Sequence, residues 1–374
     1  MTQTVTQTVS YPSNLESIKK LKFAENTEFR ATLNRRVEDF FKTTGRQKRD
    51  CPQMYLKTAI LVLGFIAIYV SLVFLAQEWW QALSLSILLG LFMDGIVFNL
   101  QHDGSHNAYS NIPWVNKLMA MSLDVIGFSS YYWKIFHNVL HHNYVNITGY
   151  DQDFEFGTLA RKTPFQKWFP HHRWQQYYIW LLYGVYSIEW SLSFDFESFF
   201  SNKLRHVDYP RPRERELVIF ILGKTIFLSL AFGIPLMFHS IWNILLCYTV
   251  TQLTLGIVMS CIFWLAHEVE EAEFPMPSED TRMVKNEWAI HQIETSVNCS
   301  FNPFLNWFCG GLNFQIEHHL FPQICHVNYA YIAPIVEKTC QEFGVKYQTN
   351  KSLFASLSSH FRLLRRLGKS SSTL

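Results

Sequence analysis

Four long apolar stretches interrupt an otherwise mixed chain: Thr58 to Ala76, Ala82 to Leu100, Leu217 to Phe238 and Ile241 to Ala266. Each is close to or above the roughly 20 helical residues that cross a bilayer's hydrocarbon. Hydrocarbon leaves free backbone N–H and C=O groups unsatisfied, so these stretches are expected as helices. The connectors from Gln77 to Gln81 and from His239 to Ser240 are short and carry no Lys or Arg, which predicts two tight hairpins. Trp79, Trp80 and Trp242 fall at the hairpin tips, where indole rings sit well among lipid headgroups. The Lys/Arg-rich N-terminus, the long middle segment and the C-terminal part all fall on the other side, which the positive-inside rule assigns to the cytoplasm. The expected fold class is therefore all-α: an integral membrane protein of four transmembrane helices beneath a helical cytoplasmic cap.

The remaining segments follow from this frame. Residues 1–57 read as a cytoplasmic N-terminal segment without a secretory signal pattern. Residues 58–350 form the membrane domain, with the cap built from 101–216 and 267–350. Residues 351–374, carrying Arg362, Arg365, Arg366 and Lys369, form a basic tail. Leu118 to Phe136 and Tyr177 to Phe200 are apolar and aromatic but broken by Asp124, Lys134, Glu189, Asp195 and Glu197, so they are expected along the interface or under the cap. Two charges fall inside predicted spans. Lys224 is about two turns from a span end and is expected to snorkel to the surface. Asp94, about two turns from His102, is a candidate for lining a substrate path.

Composition narrows the function. The 374 residues are 49% hydrophobic and 17% charged, so the chain folds. Lys+Arg of 32 against Asp+Glu of 30 lacks the basic excess of a nucleic-acid binder. Seven cysteines with no C-x-x-C indicate reduced thiols and neither a disulfide framework nor a zinc knuckle.

The histidines carry the chemistry. They are grouped as His102-Asp-Gly-Ser-His106, His137-Asn-Val-Leu-His141-His142 and Gln315-Ile-Glu-His318-His319, all on one predicted side of the membrane. On a helix, residues four apart share a face, so His102/His106 and His137/His141 can each present two imidazoles to one site. Adjacent histidines point about 100° apart, which suits service to two neighbouring metals. Seven imidazoles in three groups exceed what one ion needs. Zinc would be satisfied with four ligands and as a structural ion would recruit cysteines, whereas imidazole also suits iron, which activates O2. His267 ends the fourth stretch and is either a further ligand or a helix cap. Gln315, three residues before His318, could ligate, hold a water or orient His318. Asp151 and Asp153, after the second group, could accept the distal N–H of ligating imidazoles or belong to a solvated loop. His171, His172, His206, His239 and His360 are expected to be exposed structural residues, and His291 and His326, near the third group, to be structural rather than hydrogen-bonding supports of the ligands.

The three boxes, H-x(3-4)-H, H-x(2-3)-H-H and H/Q-x-x-H-H, resemble the membrane fatty acid desaturase family from about Met54 to Tyr347. Gln315 at the head of the third box resembles the front-end branch. The motifs Asp-Gly-Ser-His-Asn-Ala-Tyr-Ser from Asp103, Trp-Ala-Ile-His-Gln-Ile from Trp288 and Asn-Trp-Phe-Cys-Gly-Gly-Leu-Asn from Asn306 are similar to cyanobacterial acyl-lipid desaturases acting at carbon 6. His291 stands where that branch is expected to carry Cys, so no role is carried over to it. The resemblance implies a di-iron site using O2, with ligands His102, His106, His137, His141, His142, His318 and His319 and with His267 as an extra ligand. It implies formation of a cis double bond in an acyl chain held on a glycerolipid, on CoA or on acyl carrier protein. The haem motif H-P-G-G is not found in the chain, so a separate electron donor is expected, ferredoxin or else cytochrome b5. Hydroxylases and acetylenases share the same framework. A metal transporter would spread polar groups through the membrane midplane, whereas these boxes collect at one face.

Overall fold

The computed structural model describes residues 21–25, 28–152 and 155–369, so Asp153 lies outside the described residues. Among the described residues β structure is confined to three pairings of two-residue strands, and the architecture is helical. Four helices are long and apolar enough to cross a membrane: Pro52–Leu75, Trp79–Ser105, Glu214–Met237 and Ile241–Trp264. They coincide with the four apolar stretches, but the first begins earlier and the second continues through His102. The earlier start has a physical reason. Lys57 does not end the helix, because its buried ammonium donates to Asn99 Oδ1 at 2.6 Å and meets His326 Nε2 at 3.0 Å.

Small residues set how closely the spans approach. A Cβ on Gly90 of the second span would lie 2.7 Å from Thr251 O, and one on Gly256 of the fourth would lie 2.5 Å from the carbonyls of Tyr183 and Gly184. The fourth span is thus wedged between the second span and the helix Gln175–Glu189. Near the hairpin end the bundle forms an open-sided cavity of about 410 Å³, whose wall includes Phe65, Leu72, Met93, Phe227 and Tyr248. Asp94 is fully buried beside Met93 but is not on that wall, and neither of its carboxyl oxygens has a hydrogen-bond partner among the described residues.

Lys224 overturns the snorkelling expectation. Its ammonium is buried, donating to Asp195 Oδ2 at 2.7 Å, Gly127 O at 2.6 Å and Ser191 O at 3.2 Å. The charged residues that interrupt the apolar middle segment are the reason: Asp195 supplies the counter-charge within the bundle, so the side chain has no need of water.

The cap closes over the ends of the second and fourth spans. Its helix Glu28–Thr44 places Phe29, Leu33, Val37 and Phe41, four apart, on one buried face. They pack with Ile316, Leu320, Ile332 and Val336, each contributing about 1.5–3 kcal/mol of burial. This helix thereby covers the short helix Gln315–Leu320 that carries the third box. At the other end of the chain, Leu353–Leu367 is an amphipathic helix burying His360, Leu363, Leu364 and Leu367. His360 and His172 are buried, against the expectation of exposure, because each finds partners: His360 bonds Tyr183 and the Glu268 carbonyl, and His172 bonds Thr158 O.

Candidate metal centre

The second span delivers the first box. Its helix widens into a π-turn at Val97–Gln101, immediately before His102. The turn is held both from within the span and from the segment around Phe308 and Gly310. Asn99 Nδ2 donates to Gly95 O at 2.7 Å and to Phe308 O at 2.9 Å, and Gly310, at φ +61°, presses so close that a Cβ there would meet Phe98 O at 2.2 Å. His102 and His106 follow with ring centroids 4.9 Å apart. His137 and His141 of the second box lie on Lys134–His141, which is π-helical rather than α-helical, and His142 opens the short α-helical turn His142–Tyr144. On the π-helix His137 and His141 stack with ring centroids 5.2 Å apart and 19° between planes.

All eight predicted histidines converge and are buried. His102, His106, His137 and His318 place one nitrogen each within 4.8 Å of one another, and His141, His267 and His319 do the same. His142 bridges the groups, 4.4 Å from His106, 4.6 Å from His318 and stacked at 4.3 Å on His319. Adjacent residues diverge as expected: His318 and His319 are inclined at 74° and His141 and His142 at 84°, so each pair serves both groups.

The nitrogens fit metal ions. His102 Nε2 lies 3.3 Å from His137 Nε2, and His267 Nε2 lies 3.2 Å from His319 Nε2. Metal–nitrogen bonds of about 2.1 Å at right-angled to tetrahedral spread put donors about 3.0–3.4 Å apart. The Nε2 atoms of His106, His142 and His318 are buried with no hydrogen-bond partner among the described residues. On four of the eight rings the opposite nitrogen is engaged. His141 Nδ1 pairs with Asp151 Oδ2 at 3.0 Å, His267 Nδ1 donates to Thr295 O at 3.0 Å, His319 Nδ1 donates to Gln292 Oε1 at 2.9 Å, and His318 Nδ1 meets Tyr329 OH at 3.2 Å. Such partners fix the tautomer and aim Nε2 inward. Burial first, and then neighbouring imidazoles, hold His106, His137, His142, His318 and His319 well below the usual histidine range. They are neutral at pH 7, which is the ligating form.

The family comparison agrees with this geometry. Residues 78–351 match the family model described as fatty acid desaturase. Over 355 residues the chain is 38% identical to the sn-1 linoleoyl-lipid 6-desaturase of Synechocystis sp., covering 94% of this chain and 99% of that one. It is 36% identical over 350 residues to the protein of that name from Arthrospira platensis, covering 93% and 95%. An acyl-lipid (8-3)-desaturase of Physcomitrium patens is 34% identical over 356 residues, covering 92% and 72%. The chain belongs to the fatty acid desaturase family.

In this desaturase Asp151 is buried beside His141, not in a solvated loop, and also accepts from Asn146 N at 3.0 Å. Gln315 is buried one turn before His318, and its amide Nε2 has no hydrogen-bond partner among the described residues. Gln292, Thr295 and Tyr329 were not anticipated. Gln292 lies within the Trp288 motif, next to His291, which instead tilts against Phe23 at 5.2 Å. His326 bonds Asp103 Oδ2 at 2.8 Å, one residue from His102. Asp94, eight residues before His102, is about 12 Å away along the helix.

Proposed function

We propose that this desaturase introduces a cis double bond at a front-end position, near carbon 6, of a glycerolipid-bound acyl chain, using two irons and O2. The observation that carries the reading is the pair of buried imidazole clusters whose ring nitrogens converge, with the Nδ1 atoms of His141, His319, His267 and His318 tied to Asp151, Gln292, Thr295 and Tyr329. One iron is assigned to His102, His106, His137 and His318 with His142, the other to His141, His267 and His319, with Gln315 supporting His318. Imidazole-bound iron supplies reductive activation of O2 and the power to break an unactivated C–H bond. The overall balance is one CH2–CH2 unit, one O2, two electrons and two protons giving one CH=CH unit and two waters.

The chain's own residues do three things. They hold the ligands in the neutral, correctly turned state, they exclude bulk water by burying every box histidine, and they present the centre at the cap end of the spans, where a lipid tail arrives from the bilayer. The names of the Synechocystis and Arthrospira relatives support a glycerolipid carrier and carbon 6. Ferredoxin is assigned as electron donor, and the Lys/Arg-free hairpins support a cytoplasmic centre and cytoplasmic termini. The division of the sequence into 1–57, 58–350 and 351–374 belongs to the same proposal, with a helix of each outer segment packed onto the middle one.

The test is mass spectrometry of lipids from a host that makes this chain and ferredoxin, fed linoleate, with His318→Ala as control. A new double bond at carbon 6 of a glycerolipid acyl chain, absent from the control, supports the reading. Gain of an oxygen, an alkyne, product found only on acyl carrier protein or CoA, or a fully active control contradicts it.

A further inference from the structure

His267 stands three residues beyond the end of the fourth span at Trp264, in a turn rather than on a helix. Helical hydrogen bonds therefore do not position it as they do His318 and His319. The flanking backbone is held instead by distant segments. Asn146 Nδ2 donates to His267 O at 2.9 Å. The Glu268 carboxylate pairs with the fully buried Lys162 ammonium at 2.7 Å, and that ammonium lies 3.8 Å over the Trp264 ring. His360 Nδ1 donates to Glu268 O at 2.6 Å, and Tyr183 OH lies 2.7 Å from His360 Nε2.

The roles of the two His360 nitrogens follow from chemistry. The Glu268 carbonyl can only accept, so Nδ1 carries a hydrogen. Burial pushes the imidazole down to about 3, leaving Nε2 to accept from Tyr183. A fully buried neutral histidine with both nitrogens used is a designed fixture, and one side of it is a ligand-bearing turn. The C-terminal helix adds two more ties to this turn: Ser359 Oγ accepts from Glu270 N at 2.9 Å, and Arg362 Nε donates to Glu270 Oε2 at 2.6 Å. This helix lies beyond the 78–351 segment matched by the family model.

We propose that His360 is a positioning residue for the metal held by His141, His267 and His319, acting through the Glu268 backbone in concert with the Lys162–Glu268 pair. The inference rests on the reading of the two clusters as two metal positions. A ligand must be held to within about 0.5 Å of its productive place, and loss of an outer partner typically costs 10–100-fold in metal affinity. The C-terminal helix is then part of the metal centre and not an appendage.

The test is an anaerobic Fe(II) titration of metal-depleted full-length protein in detergent, comparing wild type, His360→Ala, His360→Asn and Leu363→Ala. Wild type is expected to bind two ions. His360→Ala is expected to keep one ion at wild-type affinity and to bind the second about 10–100-fold more weakly. His360→Asn, whose amide can still donate to Glu268 O, should restore most of that loss. Leu363→Ala removes a buried side chain from the same helix without touching Glu268, and should lower thermal stability while leaving both affinities in place. Two wild-type-like sites in His360→Ala, or equal weakening of the second site in Leu363→Ala, overturn the proposal. A wild type that binds fewer than two ions overturns the underlying metal reading and the proposal with it.

Discussion

The buried Lys224–Asp195 pair offers a quantitative check on the bundle. Replacing Lys224 by Met leaves the Asp195 carboxylate buried, still accepting from Ser129 N at 2.7 Å and Trp190 Nε1 at 3.0 Å but without a cation. Stranding one partner of a buried pair costs about 3–5 kcal/mol. Protonation sets a ceiling, because neutralising a carboxyl of unfolded pKa about 3.9 costs about 1.36 kcal/mol per pH unit, or roughly 4 kcal/mol at pH 7. Burial already raises the Asp195 carboxyl, and loss of Lys224 removes the main opposing influence. With the folded pKa above the unfolded one, the folded variant binds the extra proton, so its stability falls as pH rises between the two. Lys224→Met should therefore lose about 3–4 kcal/mol at pH 7 and up to about 1.4 kcal/mol less at pH 6. Adding Asp195→Asn should recover about half of the loss, since Gly127 O and Ser191 O still lack their donor. Equilibrium unfolding in mixed detergent and SDS micelles at the two pH values measures all three. A Lys224→Met protein of wild-type stability at both would mean that the ammonium reaches the membrane surface and that the buried pair is not real.

Three further outcomes follow from particular contacts. Asp151→Ala frees the His141 ring and should weaken one of two metals by about 10–100-fold, read by metal titration, while the other stays unchanged. Gly310→Ala adds a Cβ 2.2 Å from Phe98 O at a positive φ, so overpacking of about 1–3 kcal/mol and left-handed strain of about 1–2 kcal/mol should lower the thermal midpoint and disturb the turn before His102. Burial pushes His291 down to about 4 and His360 down to about 3. A histidine with a lowered folded pKa loses stability as pH falls below its unfolded value of about 6.5, so at pH 5 each should cost about 2 kcal/mol, and metal-free protein should melt markedly lower at pH 5 than at pH 7. Unchanged melting over that range would contradict their burial as neutral rings.

The parts legible in the sequence were those that physics imposes locally. A bilayer demands continuous apolar helices, so four spans stood out, and a metal centre demands several imidazoles, so the boxes stood out as clusters. What stayed hidden depends on pairing across the chain. Lys57 looked like a span boundary because its partners, Asn99 and His326, are far away in sequence, and Lys224 looked like a snorkelling residue because Asp195 was an unplaced charge in an aromatic segment. The α-helical spacing assumed for His137 and His141 put them on one face, but the helix that carries them is a π-helix. Gln292, Thr295 and Tyr329 are ordinary residue types at ordinary spacings, and Thr295 acts through its backbone carbonyl, which no side-chain pattern reports. His360 was lost for the same reason: only the folded chain brings residue 360 to the carbonyl of residue 268.

The most direct test of the central claim is metal content and iron spectroscopy of the purified full-length chain. The two clusters predict two irons per chain in nitrogen-rich coordination, falling in His102→Ala and His319→Ala variants that still insert into the membrane. A protein purified with no iron, or with zinc alone that the box variants do not reduce, would contradict the account.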